Sequence, residues 1–259
     1  MAMDVRTHLD AVRRRIEHAG SAVVMLDFDG TLVPFRPKPH QVRMSASVRK
    51  ALQLCSQRFP VAIITGRALI DVVPRVGVRD VSFAGNHGLE WKFKTKRIAV
   101  KANARIARKL AEAKKTLQRL TKQYAGSWLE DKKYSLCFHV RHVKRSRQSA
   151  ALSAARRCSK AVGGSSLRIV EGEFVLNILP NIGYHKGSAS KMMYKRLKAT
   201  KRAVPIFIGD DVTDEDAFKA LRGGITVHVK NGKRAHTAAR YTVKNINEVR
   251  KLLLWLSRI

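Results

Sequence analysis

The sequence predicts an α/β protein with a parallel sheet, interrupted by a smaller α+β domain. Short, continuous apolar runs of the kind buried on both faces of a parallel sheet alternate with helical patterns. In the middle of the chain this order gives way to two basic helices and alternating strands. The length of 259 residues suits one large domain or two modest ones. With 45% hydrophobic and 27% charged residues, a disordered or fibrous chain is excluded.

The first part of the chain reads as strand, helix, strand, which predicts right-handed parallel crossovers. In order, the patterns predict a helix over 5–19 ending at Gly20, a strand over 22–27, a helix over 45–58, and strands over 61–64 and 81–84.

The middle block has the order of a small α+β unit, and the α/β pattern resumes after it. The middle block is predicted as a helix over 102–123, strands within 127–143, a helix over 146–162 and one strand over 167–179. The remainder is predicted as a helix over 186–198, a strand over 204–208, a helix near 214–222, a strand over 225–229 and a helix from Asn247.

The chain is strongly basic, with a formal net charge of +33. Residues 101–160 hold 17 lysines and arginines against three acids. Three interpretations remain open: a solvated cationic surface, attraction of anionic substrates, or nucleic-acid binding. An RGG tract, zinc-finger spacing or aromatic-interleaved RNP pattern is lacking, so we expect at most weak, non-specific binding of nucleic acid.

The three cysteines, Cys55, Cys137 and Cys158, lie far apart without a CxxC motif. We therefore expect a reducing, cytoplasmic compartment. The first 20 residues carry charge throughout and lack the apolar segment of a secretory signal. Because no apolar run approaches the ~18 residues that span a bilayer, no membrane partner is expected.

Acidic residues are concentrated directly after two predicted strands. Asp27 ends the strand over 22–27 and Asp29 follows it, and five acids within 210–216 follow the strand over 204–208. Ligand crevices of α/β sheets open at such strand ends. One carboxylate there can attack phosphorus while another transfers protons, and dense carboxylates suit Mg²⁺. The alternatives are a turn with solvated acids and an acidic helix N-terminus.

Two further segments supply groups that can hold phosphate. Thr65, Gly66 and Arg67 follow the strand over 61–64, and Lys186 opens a helix. A hydroxyl, backbone N–H groups and a lysine together bind phosphoryl oxygens. The alternatives are a threonine N-cap and a surface lysine. Taken together, the four segments contain what in-line phosphoryl transfer through an aspartyl-phosphate requires.

The motifs LDFDGTLVPF, ITGR, AGNHGLE, HKG and GDDVTDEDAF resemble the haloacid dehalogenase-like (HAD) phosphatases, and within them the trehalose-6-phosphate phosphatase family. The resemblance implies a Rossmann-like core over 1–98 and 183–259, with an inserted α+β cap domain over 99–182. It also implies Mg²⁺-dependent hydrolysis of trehalose 6-phosphate to trehalose and phosphate, in trehalose biosynthesis.

The same resemblance assigns roles to individual residues. Asp27 is expected to be the nucleophile, Asp29 the general acid/base, and Lys186 a further catalytic group. Phosphate binding is expected at Thr65, Gly66, Arg67 and Lys186. Mg²⁺ binding is expected at Asp27, Asp29 (through its backbone carbonyl), Asp210, Asp211 and Asp214. Sugar binding is expected at His87, Glu90, Glu130, Lys132, His139 and Arg141. For Glu130 and Lys132 the alternative is an exposed hairpin with a cross-strand ion pair.

One segment departs from the family pattern. Family members often read Glu-x-Arg-Pro before the lysine, whereas here Asn177 and Leu179 stand at these positions. Sucrose-phosphate and mannosyl-phosphoglycerate therefore remain alternative substrates, as does transfer to an acceptor other than water. An alternative from a different functional class is a nucleic-acid-binding protein with a phosphatase-like fold. We expect a monomer.

Overall fold

The protein is described here by a computed structural model that covers residues 2–36, 41–93, 96–100, 102–172, 174–231 and 236–259. The chain divides into two compact units, one formed by 1–99 with 184–259 and the other by 100–183. Over the described ranges, no helix is both long and apolar enough to cross a membrane.

The first unit alternates strands and helices along its sequence. Its strands are β1 (Met3–Asp4), β2 (Ala22–Leu26), β3 (Val61–Ile64), β4 (Val81–Gly85), β5 (Glu90–Phe93), β6 (Lys96–Ala99), β11 (Val204–Gly209), β12 (Ile225–Val229) and β13 (Tyr241–Val243). Its helices are α1 (Leu9–Ala19), α2 (Ala46–Arg58), α3 (Leu69–Val76), α6 (Lys186–Leu197), α7 (Glu215–Ala220) and α8 (Ile246–Leu256).

These strands form one sheet in the order β1-β13-β12-β11-β2-β3-β4-β5-β6. The pairs from β1 to β4 are parallel, and β5 and β6 add an antiparallel edge. The predicted α/β class with a parallel sheet is therefore confirmed. Every residue of β2, β3, β4 and β12 is buried, as their continuous apolar sequences predicted.

Several elements of this unit differ from the sequence prediction. The helix predicted over 5–19 begins with a 3₁₀ turn over Val5–His8, and the helix near 214–222 is preceded by a 3₁₀ turn over Val212–Asp214. Strands β1, β5, β6 and β13 were not predicted. They are two to four residues long, which is too short to show a hydrophobic pattern, and β6 is also mostly exposed.

The second unit packs two helices on a four-stranded antiparallel sheet. Its elements are α4 (Ala104–Gln123), β7 (Trp128–Asp131), β8 (Leu136–His139), α5 (Arg145–Gly163), β9 (Leu167–Gly172) and β10 (Val175–Pro180), and the sheet order is β7-β8-β10-β9. Leu117 of α4, Ala155 of α5 and Phe138 of β8 are fully buried in its separate core.

The single strand predicted over 167–179 is wrong. The segment forms a hairpin, in which β9 and β10 pair antiparallel from Leu167 with Pro180 to Gly172 with Val175. Phe174 reverses the chain with a φ of 59°. Gly172, which stands between two glutamates in the sequence, is the signal for this turn.

Candidate active site

The two acid-rich turns meet at the carboxyl edge of the first unit's sheet. Strands β2 and β11 are direct neighbours in parallel register, with Leu26 opposite Ile208, so the residues that follow them emerge together. Carboxylate oxygens of Asp27, Asp210 and Asp214 lie within 4.8 Å of one another. The edge therefore concentrates three acids in one small, largely buried volume.

Lys186 is the cation within this cluster. It is the first residue of α6 and is only 4% exposed. Its Nζ donates to Asp27 Oδ1 at 2.8 Å and to Asp214 Oδ1 at 2.7 Å. Burial by itself would lower the pKa of Lys186, but Asp214 and Asp27 outweigh it and raise the pKa above its usual value. Lys186 is thus held as an ammonium, and the interpretation as a surface lysine is wrong.

Negative charge at the site exceeds what one lysine neutralises. Burial raises the pKa of Asp27 well above its usual value; Lys186 opposes the shift, and Asp214 and Asp210 add to it. The pKa of Asp210 rises to about 7, mainly through burial and secondly through Asp214. The carboxylates of Asp27, Asp210 and Asp214 would therefore be stabilised by a further cation, and their oxygens lie close enough together to bind one.

The loop after β2 is shaped to approach Asp210. Gly30 has a φ of 80°, and a Cβ there would overlap the Asp210 carboxylate, so glycine is required. Thr31 Oγ1 donates to Asp210 Oδ1 at 3.0 Å. Asn231 Nδ2 donates to the Gly30 carbonyl at 2.7 Å and lies 3.3 Å from Asp210 Oδ2. Asn231 was not among the predicted site residues, although it follows the predicted strand over 225–229 at the same sheet edge.

Asp211 and Asp214 differ in what they contact. Asp214 is fully buried, and its Oδ2 accepts the backbone N–H groups of Asp210 and Asp211 at 3.0 and 2.9 Å. The Asp211 side chain accepts the backbone N–H of Asp214 in a reciprocal cap. Among the residues described, the carboxylate cluster includes Asp210 and Asp214 but not Asp211.

Arg67 holds the second acid of the first motif. Its Nε and Nη2 donate to the two Asp29 carboxylate oxygens at 2.6 and 2.8 Å, and its Nη1 donates to Asp71 at 2.6 Å. Its guanidinium carbon lies 5.5 Å from the centre of the Phe28 ring. Such a bidentate pair fixes the orientation of the Asp29 carboxylate. In this structure Arg67 contacts carboxylates, whereas the sequence predicts that it binds phosphate.

Thr65 and Gly66 form the turn after β3. Thr65 is buried, and its Oγ1 accepts the Arg67 backbone N–H at 3.1 Å. The alternative that Thr65 is the helix N-cap is wrong, because α3 begins at Leu69 and Ala68 is its N-cap. Gly66 lies against the His87 ring, which a Cβ would overlap.

Glu90 is engaged by the scaffold of the first unit. Its Oε2 accepts from the Leu69 backbone N–H at 3.2 Å and from Asn86 Nδ2 at 2.5 Å. It thereby caps the N-terminus of α3. Glu90 was expected to contact sugar, and these two hydrogen bonds occupy one of its two carboxylate oxygens.

In the second unit, polar side chains gather on the strands β7 and β8. Glu130 Oε2 lies 2.9 Å from His139 Nε2 and 3.9 Å from Lys132 Nζ. The ring of Trp128 stacks on His139 with a centroid distance of 4.4 Å. Glu130, Lys132 and His139 thus form one group.

Arg141 has a different neighbour in that unit. Its guanidinium lies over the Phe174 ring, 4.7 Å from the ring centre. Asn177, at the position that departs from the family pattern, contacts Cys137: the Cys137 thiol donates to Asn177 Oδ1 at 3.0 Å. Asn177 Nδ2 donates to the Val170 carbonyl at 3.2 Å.

Solved structures show that the fold is that of HAD-like hydrolases. The C-terminal domain of C. albicans trehalose-6-phosphate phosphatase matches with a TM-score of 0.86 at 18% identity, over 100% of this chain and 99% of that chain. A haloacid dehalogenase-like hydrolase from Bacteroides thetaiotaomicron matches with a TM-score of 0.66 at 14% identity, over 90% of this chain and 98% of that chain. The expected HAD-like fold is confirmed.

Sequence comparison identifies the family. The family model for trehalose-phosphatase matches residues 25–247. The rice (Oryza sativa subsp. japonica) protein "Probable trehalose-phosphate phosphatase 4" is 32% identical over 265 residues, covering 97% of this chain and 71% of the rice protein. The chain is therefore a phosphatase of the HAD-like class, and it belongs to the trehalose-phosphatase family.

Proposed function

We propose that this protein hydrolyses trehalose 6-phosphate to trehalose and phosphate, with Mg²⁺ as cofactor and through an aspartyl-phosphate on Asp27. The observation that carries the proposal is the buried arrangement of Asp27 and Asp214 around Lys186 Nζ, with Asp210 beside them. Burying charged groups costs desolvation free energy, and clusters of buried ionisable groups are typical of catalytic sites.

In the first step, a carboxylate oxygen of Asp27 attacks phosphorus, and the bond between phosphorus and the sugar oxygen breaks. Asp29 acts as the acid: one of its oxygens, released from Arg67 and protonated, gives its proton to the departing oxygen, which leaves as the hydroxyl of trehalose. In the second step, Asp29, now a carboxylate, accepts a proton from water as the water oxygen attacks phosphorus. The bond to Asp27 breaks, phosphate leaves, and both aspartates return to their starting states.

The neighbouring residues support these two aspartates. Lys186 supplies positive charge beside the nucleophile and the phosphoryl oxygens. Arg67 fixes the carboxylate of Asp29, so we assign Arg67 a positioning role beside the expected phosphate contact. Thr65 and the backbone N–H of Gly66 remain the proposed phosphate-binding groups. Asp214 holds Lys186 and the backbone of the second acidic turn.

The carboxylate set fits a hard divalent cation. Oxygen ligands are those that Mg²⁺ prefers, and Asp27 and Asp210 lie within 4.8 Å of each other in a site with excess negative charge. We propose that Asp27, Asp210 and the backbone carbonyl of Asp29 hold Mg²⁺, with Asp214 in support. When bound, Mg²⁺ neutralises charge on the phosphoryl oxygens.

We propose that residues 99–182 act as a cap domain that supplies sugar contacts, with 1–98 and 183–259 as the catalytic core. Glu130, Lys132 and His139 combine acceptors and donors beside an aromatic ring, a combination suited to sugar hydroxyls. His87, Glu90 and Arg141 are retained as further candidates.

We further propose a monomeric, cytoplasmic enzyme that acts on a small phosphosugar, without a specific nucleic-acid partner. The three cysteines are free thiols, which suits a reducing compartment. Each of the two units encloses an apolar core of its own, so neither needs a second copy to cover it.

Phosphate release tests the proposal. Asp27→Asn is expected to lower phosphate release from trehalose 6-phosphate by at least about 10³-fold, because the amide is no nucleophile. Asp10→Asn, an exposed acid on α1, is the matched control and should keep full activity. Wild-type turnover in the Asp27 variant would reject the mechanism.

A substrate panel separates the alternatives. Sucrose-phosphate and mannosyl-phosphoglycerate are assayed beside trehalose 6-phosphate, each with Mg²⁺ and with a chelator. We expect the highest kcat/KM for trehalose 6-phosphate and loss of activity with the chelator. Preference for another ester would overturn the substrate, and full activity without a divalent cation would overturn the cofactor.

A further inference from the structure

Three side chains of metal-binding type meet on the sheet of the second unit. Leu136 and Phe138 of β8 pack in the core formed with α4 and α5, so Cys137 and His139 project from the opposite face of the sheet. Cys137 pairs with Glu130 across β7 and β8. The strand register therefore brings a thiol, an imidazole and a carboxylate to one place.

The distances are close to those of a tetrahedral metal site. One ligand atom each from Glu130, Cys137 and His139 lie within 4.8 Å of one another. Ligand bonds of 2.0–2.3 Å to Zn²⁺ separate neighbouring ligand atoms by roughly 3.3–3.6 Å. The three side chains thus need to move by only about an ångström to surround an ion, which leaves a fourth position for water.

The neighbours hold two of the three ligands in place. Trp128 stacks on the His139 ring with an angle of 5° between the planes. Asn177 Oδ1 accepts from the Cys137 thiol, which is 2% exposed. Hydrogen-bonded and stacked ligands lose little freedom when they bind a metal. The thiol of Cys137 also has no role in the proposed phosphoryl transfer.

We infer that Glu130, Cys137 and His139 form a binding site for a thiophilic divalent cation of the Zn²⁺ class. Sulfur, imidazole nitrogen and carboxylate oxygen together favour Zn²⁺ over Mg²⁺, which takes oxygen ligands. On binding, the Cys137 sulfur exchanges its proton for the metal and the proton passes to solvent. Coordination of the metal also replaces the contact between His139 Nε2 and Glu130 Oε2.

Lys132 opposes the metal and gives the inference a directional test. It lies beside both Cys137 and Glu130, at 3.9 Å from Glu130 Oε2. A bound dication repels this ammonium, which must rotate outward. Replacing Lys132 by a neutral residue therefore strengthens metal binding, whereas a change that only disturbs the fold would weaken it.

The consequence for catalysis rests on the proposed function. Glu130 and His139 are also the proposed sugar contacts, so Zn²⁺ and substrate exclude one another at this site. Micromolar Zn²⁺ should then raise the KM for the phosphosugar in the wild type but not in Cys137→Ser.

Titration of the 259-residue chain with Co²⁺, followed by near-ultraviolet absorption, tests the metal site without substrate. Thiolate-to-cobalt charge transfer reports sulfur ligation, and the oxygen ligands of the first unit give no such band. The wild type should develop the band at one Co²⁺ per chain and lose it on addition of Zn²⁺. Cys137→Ser should abolish it, and Cys158→Ser, on α5, should leave it unchanged.

Two further variants keep the inference falsifiable if Cys137→Ser folds poorly. Loss of a residue that hydrogen-bonds to a metal ligand lowers metal affinity roughly 10- to 100-fold. His139→Gln removes a ligand itself, so it should weaken Co²⁺ binding by at least about tenfold. Lys132→Gln should tighten it. Absence of the band in the wild type, its persistence in Cys137→Ser, or weaker binding in Lys132→Gln would overturn the site. The Co²⁺ band is measured without turnover. The metal site and the phosphatase activity can therefore each be rejected independently of the other.

Discussion

The two units carry their charge in different ways. In the first unit, Asp27 and Asp214 contact the ammonium of Lys186, whose side chain is 4% exposed, and Asp210 lies beside these two carboxylates. In the second, Glu130 is 38% exposed and shares its contacts with a histidine and a lysine, and the helices carry exposed cations. Water screens the second set but hardly the first. Charge changes should therefore be severe at the sheet edge and graded in the second unit.

The largest effect is expected for Lys186→Met. The variant leaves Asp27 and Asp214 without their buried cation, and breaking such a pair costs about 3–5 kcal/mol. Phosphate release should fall at least about 10³-fold, and the thermal midpoint should drop. Lys191→Met, an exposed lysine on the same helix, is the control. Near-normal stability of the Lys186 variant would contradict the account of the cluster.

Arg67→Lys tests the positioning of Asp29. Lysine cannot donate to both Asp29 oxygens in a fixed plane, so we expect kcat to fall roughly 10- to 100-fold with a smaller change in KM. Arg75→Lys, which contacts Asp71 but not Asp29, is the comparison. Equal effects of the two variants would mean that only the packing around Asp71 matters.

Glu130→Gln tests the sugar contact in the second unit. We expect KM for trehalose 6-phosphate to rise about tenfold through loss of a charged hydrogen bond. Turnover of a small aryl phosphate, which has no sugar, should stay unchanged. Glu112→Gln on α4, a partly exposed acid paired with Lys109, should affect neither substrate. A parallel loss on both substrates would remove Glu130 from sugar recognition.

The smallest effect concerns the exposed row of cations on α4. At spacings of three, four and seven residues, this row consists of Arg105, Arg108, Lys115, Arg119 and Lys122. Neutralising three of them should lower kcat/KM a few-fold at low salt and hardly at all at about 150 mM, because exposed charges are screened. Steady-state assays across salt concentrations measure this. An unchanged salt dependence would favour the solvated-surface interpretation of the basic excess.

The sequence predicted the sheet edge far better than it predicted the second unit. Asp27 and Asp210 follow continuous apolar runs, and parallel strands deliver such residues to one edge. The pairing of Arg67 with Asp29 was not predictable, because these residues lie 38 positions apart and only the fold determines their side-chain directions. Asn231 was missed because a single amide after a strand carries no motif.

In the second unit, strand alternation identifies a shared face but not the contacts on it. The alternative for Glu130 and Lys132 was an ion pair in a hairpin. Their charged atoms lie 3.9 Å apart, at the outer limit of an ion pair, and His139 is the closer partner of Glu130. The position of Cys137 beside Glu130 follows from the register of β7 and β8, which the sequence did not specify.

Trapping of the phosphorylated enzyme tests the central claim most directly. Trehalose 6-phosphate is mixed with the enzyme and Mg²⁺, the reaction is quenched in acid within milliseconds, and the peptides are analysed by mass spectrometry. The account predicts one phosphoryl group on the peptide that contains Asp27, labile to hydroxylamine, and none in Asp27→Asn. A phosphoryl group on another residue would contradict the account. So would product that forms in the pre-steady-state phase while no phosphorylated peptide is detected.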